Sequence, residues 1–228
     1  MSRVKNKEKF DDSKWFLFTM LFLVVEYGRP QDILPIGFLR PAILVGLPLI
    51  FFTIKYNGVI LSKSNQTRMI WYIILLLALL VPFAFNNNKA YYTFYTMIMY
   101  MPFIISLIVC VNSIERLRKF MNLYIAIMVY VALYSYFNSG VGSGNYFQDE
   151  NDVSLYLNMV MPFCYFLFLT EKKVKLKIFY AFAFSVALTT VVISFSRGGF
   201  IGLMVIFFII WLVSPRKFLS LFHAPFSP

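Results

Sequence analysis

The chain has 228 residues, of which 60% are apolar or aromatic and only 14% are charged, and its mean hydropathy is +0.73. Soluble domains carry about 25% charged residues, so this composition excludes a soluble globular fold and indicates a membrane protein. A net charge of +11 would favour nucleic acid as the partner of a soluble protein. Here the basic residues lie in short segments between apolar runs, so we expect membrane lipids and not nucleic acid as partners.

Eight apolar runs follow one another along the chain, and several are shorter than the roughly 20 residues that cross a bilayer as a helix. We predict an all-α, polytopic membrane protein with a basic cytoplasmic N-terminus at 1–14, a transmembrane bundle at 15–213 and a cytoplasmic tail at 214–228. No small-x-small cleavage pattern follows the first run, which therefore reads as an uncleaved anchor. The runs are 15–27, 41–54, 69–85, 91–111, 121–137, 155–170, 178–194 and 199–213.

The distribution of basic residues supports eight spans with both termini in the cytoplasm. When the sides alternate from an inner N-terminus, the inner segments hold 17 of the 21 Lys and Arg residues. The other four, Arg29, Arg40, Lys89 and Arg197, lie in outer segments. Removing or adding one span would destroy this asymmetry, so the positive-inside rule supports both the number and the orientation of the spans.

The outer segment 194–199 joins the last two spans and has the composition of an anion site. Arg197 offers a planar set of donors that suits phosphate oxygens. Gly198 and Gly199 free the backbone for a tight turn and open the eighth helix, whose N-terminal amides favour an anion. We expect a pocket for a phosphate-bearing lipid or substrate. An arginine that simply reaches ordinary lipid headgroups at a helical hairpin explains the residues equally well.

Two further outer segments carry polar residues, and each has a structural alternative. At 26–32, Pro30 can end the first helix while Arg29 pairs with Glu26 or Asp32. At 144–152, Asp152 or Ser154 can act as the N-cap of the next helix, with acidic residues in its first turn. These structural roles and a role in ligand binding are compatible.

Other features argue against several classes of function. No span has an Asp, Glu or Lys in its middle, as ion-coupled transporters and pumps usually do. No P-loop, nucleophile elbow or metal-spaced His/Cys cluster occurs, so we expect neither a metal nor a cofactor. Cys110 and Cys164 lie within predicted spans as apolar filler, and His223 lies in the inner tail, away from the outer segments.

The three outer segments together resemble a bacterial family. Ser194 to Phe200 is similar to the Ser-x-Ser-Arg-Gly signature of the O-antigen ligase/O-antigen polymerase family. The segment from Gly144 to Asp152 is similar to that family's Gly-x-Phe-x-Asp-x-Asn segment. The segment 26–32, Glu-Tyr-Gly-Arg-Pro-Gln-Asp, resembles the opening of one branch, the O-glycosylation ligases found with exosortase systems.

The resemblance implies a multi-pass glycosyltransferase of the bacterial inner membrane. Such enzymes transfer a glycan from a polyprenyl-pyrophosphate carrier to lipid A core, a growing polymer or another hydroxyl acceptor on the outer face, without a metal. Arg197 falls on a position that binds the donor pyrophosphate and is the expected catalytic residue. Arg29, Asn151, Ser196 and Gly198 are the expected substrate-binding residues.

The chain also departs from the family, which continues with a large outer loop that carries a histidine base, and with further spans. The sequence ends at Pro228 and so matches the N-terminal part of the family, which predicts weak or no transferase activity from this polypeptide alone. Two alternatives remain: a transporter or flippase for lipid-linked intermediates, and an inactive truncated subunit without transferase chemistry.

Overall fold

A computed structural model describes residues 12–33, 37–56, 64–138, 140–142, 147 and 149–214. All regular structure in these residues is helical. The expected N-terminal segment 1–14 is described only from Asp12, and the expected tail 214–228 only at Ser214. His223 lies outside the described residues, and so do residues 143–146 and 148, which include four residues of the 144–152 segment.

Nine α-helices, with one π-helical and two short 3-10 segments between them, make up the described part of the chain. The α-helices are α1 (Ser13–Leu23), α2 (Pro30–Ile33), α3 (Pro41–Tyr56), α4 (Asn65–Leu80), α5 (Asn87–Cys110), α6 (Ile114–Phe137), α7 (Glu150–Thr170), α8 (Val174–Ile193) and α9 (Arg197–Val213). The π-helical turn is Val24–Gly28, and the 3-10 turns are Gly37–Leu39 and Val81–Phe83.

The apolar runs of the sequence coincide with these helices. Five helices in the described residues are long and apolar enough to cross a membrane: α4 with its 3-10 extension, α5, α6, α7 and α8. The apolar helices α3 and α9 are shorter, as the short runs at 41–54 and 199–213 predicted. The chain is thus a helical membrane protein by the length and composition of its helices.

The N-terminal unit, Met1–Phe120, is built around α1, which packs against α3 and α5, while α4 packs against α5. Aromatic side chains fill its interior. The ring of Trp15 stacks on Phe52 at 6.1 Å between centroids, and Phe22 lies 4.9 Å from Phe103. At one end, the Arg116 guanidinium donates to the Asp12 carboxylate at 2.6 Å. This bond connects the N-cap residue of α1 to the first turn of α6.

The C-terminal unit, Met121–Pro228, is centred on α7, which packs against α8 and α9. Polar side chains supplement apolar packing here. The Tyr180 hydroxyl donates to Asn122 Oδ1 at 2.7 Å, and the Thr190 hydroxyl donates to the Ala132 carbonyl at 3.1 Å. Small or polar residues occupy the contact faces because lipid chains provide little hydrophobic drive for helices to associate, so close approach and hydrogen bonds decide which faces meet.

Candidate anion-binding site at the start of α9

The turn between α8 and α9 is short, as the sequence predicted. Helix α8 ends at Ile193, and α9 begins at Arg197. Phe195, between them, adopts a left-handed conformation with φ of 51° and is 91% exposed. A non-glycine residue in this region of φ is uncommon and costs free energy. The surrounding contacts therefore have to hold the turn in place.

Ser196 is the N-cap of α9 and the centre of those contacts. Its hydroxyl oxygen accepts a hydrogen bond from the Gly199 amide at 2.9 Å. The same hydroxyl donates to the side-chain oxygen of Asn151, in the first turn of α7, at 2.6 Å. Ser196 and Asn151 are 45 residues apart in the sequence. Their hydrogen bond joins the 194–199 segment to the 144–152 segment, and both residues are among the expected substrate-binding residues.

Asn151 is held in turn by Asp149, the residue before α7. One carboxylate oxygen of Asp149 accepts both the backbone amide of Asn151, at 2.7 Å, and its side-chain NH₂, at 2.8 Å. Asp149 is thus the N-cap of α7. The expectation that Asp152 or Ser154 caps this helix is wrong, because α7 begins before both of them, at Glu150.

Gly199 serves helix packing. A Cβ at this position would lie 2.4 Å from the Cβ of Ser154 and 2.6 Å from its hydroxyl oxygen. That close approach lets Ser154 lie against α9 while its hydroxyl pairs with that of Ser194 at 3.1 Å. Since the Gly199 amide is used by Ser196, it is not available to a ligand in the way that the glycine pair in the sequence led us to expect.

Arg197 and Gly198 are the first two residues of α9, and both are exposed. At these positions the backbone N–H groups have no carbonyl partner within the helix. The side-chain guanidinium of Arg197 and the backbone amides of Arg197 and Gly198 therefore all belong to the exposed start of α9. Together with the positive end of the helix dipole, they form a group of donors that suits the oxygens of a phosphate or diphosphate.

Asn158 lies one turn further along α7 than Ser154, and the sequence analysis did not predict a role for it. It is only 4% exposed, and its NH₂ donates to the Gly199 carbonyl at 2.9 Å. Its side chain also lies against Gly202, where a Cβ would be 2.9 Å from the amide nitrogen. The signal for this role in the sequence is a neutral polar residue within the apolar run 155–170, because an amide among apolar side chains needs a hydrogen-bond partner.

Arg29, the other arginine expected to bind substrate, belongs to the N-terminal unit. Helix α1 continues into the π-helical turn Val24–Gly28, after which Arg29 adopts a left-handed φ of 46°. Pro30 does not terminate the helix directly but starts α2 as its first residue, where its missing N–H costs nothing.

The Glu26 carboxylate in the π-helical turn accepts a hydrogen bond from the Tyr100 hydroxyl of α5. The Gln31 side chain donates back to the Val25 carbonyl at 3.2 Å. A π-helical turn and a left-handed arginine in succession are features that cluster at functional positions. The 26–32 segment thus forms a distinct polar structure within an apolar unit.

Within the described ranges, no three His, Cys, Asp or Glu side chains form a group that could hold a metal ion. Comparison of the chain with models of known families, with curated proteins and with solved structures gives no match.

Proposed function

We propose that this chain is the donor-binding part of a membrane glycosyltransferase of the O-antigen ligase/polymerase type. It would bind a glycan linked to a polyprenyl pyrophosphate at the outer face of the bacterial inner membrane, for transfer to lipid A core or another hydroxyl acceptor. The observation that carries this proposal is the exposed start of α9. There, Arg197 and Gly198 follow a cap residue whose hydroxyl is bonded to Asn151 of α7.

The chemistry of such a transfer explains why these donors are needed. The acceptor oxygen forms a bond to the anomeric carbon of the glycan while the bond from that carbon to the pyrophosphate oxygen breaks. The electrons of the broken bond go to the pyrophosphate, whose negative charge rises. Arg197 and the amides at the start of α9 would stabilise that charge, as fixed donors do where charge develops in a transition state. The acceptor proton passes to a base that the proposal does not place among the described residues.

The proposed topology has eight spans and an N-terminus in the cytoplasm. The Asp12–Arg116 ion pair supports it, because the alternating scheme assigns both residues to the inner side. The antiparallel helices α7 and α8 support it as well. Their connecting turn carries Lys172 and Lys173 at one end of the pair, and Ser154 meets Ser194 at the other. The lysine-rich end would face the cytoplasm under the positive-inside rule.

The test is an Arg197→Ala variant with Arg68→Ala as its matched control. Arg68 is also an exposed arginine in the first turn of an apolar helix, α4, but it lies in a segment assigned to the inner side. Both purified variants are titrated with a polyprenyl diphosphate in lipid nanodiscs. We expect Arg197→Ala to weaken binding roughly 10- to 100-fold, the loss of charge-assisted hydrogen bonds, and Arg68→Ala to bind like the wild type.

Two outcomes would overturn the proposal. Equal affinity of Arg197→Ala and the wild type would remove the donor site. Equal losses in Arg197→Ala and Arg68→Ala would show that both arginines only attract anionic headgroups in general. A third outcome would identify a flippase instead. In that case binding depends on Arg197 and the lipid moves across the bilayer, but no covalent glycan product forms.

A further inference from the structure

We infer that Asp149 is a positioning residue for the donor site at the start of α9, acting through the orientation of the Asn151 amide. This inference rests on the proposed function, because it concerns the same Arg197 and Gly198. Three hydrogen bonds link Asp149 to the first turn of α9, which begins with Arg197. The Gly199 amide donates to Ser196, Ser196 donates to Asn151, and the Asn151 side chain donates to Asp149.

The direction is fixed at Asn151. A carboxylate can only accept hydrogen bonds, so the group that Asn151 turns toward Asp149 at 2.8 Å must be its NH₂. Its carbonyl oxygen therefore faces the Ser196 hydroxyl at 2.6 Å. Without Asp149, nothing in this contact would distinguish the two orientations of the amide, which differ by exchange of nitrogen and oxygen.

The orientation of Asn151 determines what Ser196 can do. Because Ser196 faces an acceptor, its hydroxyl hydrogen is directed to Asn151 and a lone pair remains for the Gly199 amide at 2.9 Å. That bond satisfies the third amide of α9 and leaves those of Arg197 and Gly198 for a ligand. With the amide reversed, Ser196 would face an NH₂ group, and its hydrogen would lose the acceptor on α7.

Asn151 also limits the space at the site. Its side-chain oxygen lies 3.2 Å from the position of a Cβ on Gly198. The amide is thus in contact with the backbone that would bind the diphosphate. Small displacements of binding groups are costly where a charged ligand has to meet several donors at once. Ser196, which sequence reasoning assigned to direct binding, becomes in this scheme the link between Asp149 and the amides of α9.

The experiment compares Asp149→Ser with Asp149→Asn in the full chain in nanodiscs, with a polyprenyl diphosphate as the probe. Serine caps a helix about as well as aspartate, but its shorter side chain does not reach the Asn151 NH₂. Asparagine keeps an oxygen that can accept both hydrogens. We expect Asp149→Ser to weaken binding roughly five- to tenfold, within the range of one lost hydrogen bond of ordinary strength, while Asp149→Asn binds within about twofold of the wild type.

The melting temperature separates positioning from folding. Both variants keep a capping residue at α7, so we expect melting temperatures close to that of the wild type. Asn86→Ser, which alters the cap of α5 in the same way, should leave the affinity unchanged. If Asp149→Ser binds like the wild type, or if Asp149→Asn loses as much affinity as Asp149→Ser, the inference is wrong. In the second case the negative charge would matter and the amide orientation would not.

The failure of this inference is distinguishable from failure of the proposed function. An affinity that is insensitive to both Asp149→Ser and Arg197→Ala overturns the donor site itself. An affinity that falls in Arg197→Ala and is unchanged in Asp149→Ser leaves the donor site in place and removes only the role of Asp149.

Discussion

Asn158 of α7 donates a hydrogen bond from its side-chain amide to the carbonyl of Gly199, in the first turn of α9, over 2.9 Å. This bond continues a series of contacts that starts with Asn151 and Ser196 and passes through Ser154 and Gly199. Because the contacts advance along both helices in the same sense, α7 and α9 run parallel from neighbouring N-termini. The start of α9 is therefore held both at its cap and one turn inside the helix.

Replacing Asn158 with leucine should destabilise the C-terminal unit. Leucine is branched at Cγ like asparagine, but it has no N–H to donate to the Gly199 carbonyl. Hydrogen bonds between membrane helices contribute about 0.6 to 2 kcal/mol, so we expect the free energy of unfolding to fall by about 1 kcal/mol. Denaturation in mixed micelles measures this. Met159→Leu, on the exposed side of the same helix, is the control, and an Asn158→Leu variant as stable as that control would contradict the prediction.

The two glycines that open α9 should respond differently to alanine. A Cβ on Gly199 would come within 2.4 Å of the Ser154 Cβ, whereas one on Gly198 would lie 3.2 Å from the Asn151 oxygen. Overpacking costs about 1 to 3 kcal/mol, so Gly199→Ala should lower the free energy of unfolding by that amount and Gly198→Ala by less. Mixed-micelle denaturation of both variants tests the order.

A double variant checks the cause of the Gly199 effect. Ser154→Gly removes the Cβ that collides with the methyl group introduced by Gly199→Ala, so the two substitutions together should recover part of the stability lost in Gly199→Ala alone. Recovery will be incomplete, because the Ser154 hydroxyl also bonds to Ser194. A double variant that is less stable than either single variant would show that the Ser154 contact does not limit the space at Gly199.

The helices and the short turn between α8 and α9 could be predicted from the sequence, because both depend on strong, local signals. Apolar runs specify membrane helices by length and composition. The very short connection between α8 and α9 places Ser196 and Arg197 at a helix start. The sequence analysis assigned the Ser-Arg-Gly segment and the Asn151 segment to ends of spans on the same side of the membrane. The hydrogen bond between Ser196 and Asn151 brings these two helix ends together.

The roles of individual residues in the site could not be predicted, because they depend on which neighbour comes close. Asp149, Asp152 and Ser154 are all good N-caps, and only the geometry of the turn before α7 selects Asp149. The sequence suggests that the Gly199 amide is available to a ligand, whereas in the structure it donates to Ser196 and Gly199 packs against Ser154. The π-helical turn before Arg29 has no sequence pattern of its own, since its residues are compatible with a continuous α-helix.

The ion pair of Asp12 and Arg116 should make stability depend on pH. The hydrogen bond from Arg116 and the charge of its guanidinium hold the pKa of Asp12 below its usual range, although partial burial acts in the opposite direction. A carboxyl whose pKa is lower in the folded state stabilises fully above its unfolded value of about 3.9 and loses that contribution as the pH falls through the folded pKa. The wild type should therefore lose stability below about pH 4 at this site.

Asp12→Asn isolates the effect, since every other carboxyl titrates in both proteins. The difference in melting temperature between the wild type and Asp12→Asn should be constant from pH 7 to about pH 5 and shrink as the pH drops further. Measurements in a zwitterionic detergent avoid titration of the detergent itself. A difference that stays constant down to pH 3 would mean that the ionised Asp12 contributes nothing through Arg116.

The orientation of α8 in the membrane decides whether the proposed donor site faces the outside. Phe195 lies beyond its C-terminal end and Lys173 before its N-terminal end, and both are exposed. A 20-residue helix is about 30 Å long, so the two positions lie on opposite sides of a bilayer that α8 spans. Four lysines between 172 and 177 flank the N-terminal end, so the positive-inside rule predicts that this end lies in the cytoplasm.

Cysteine labelling tests this orientation. Phe195→Cys and Lys173→Cys, in a background with Cys110→Ala and Cys164→Ala, are treated with an impermeant maleimide in spheroplasts. We expect Phe195→Cys to react at once and Lys173→Cys only after permeabilisation, because only the first position would face the outside. The opposite labelling pattern would put Arg197 on the inner side, where a donor site for transfer to outer-face acceptors has no use.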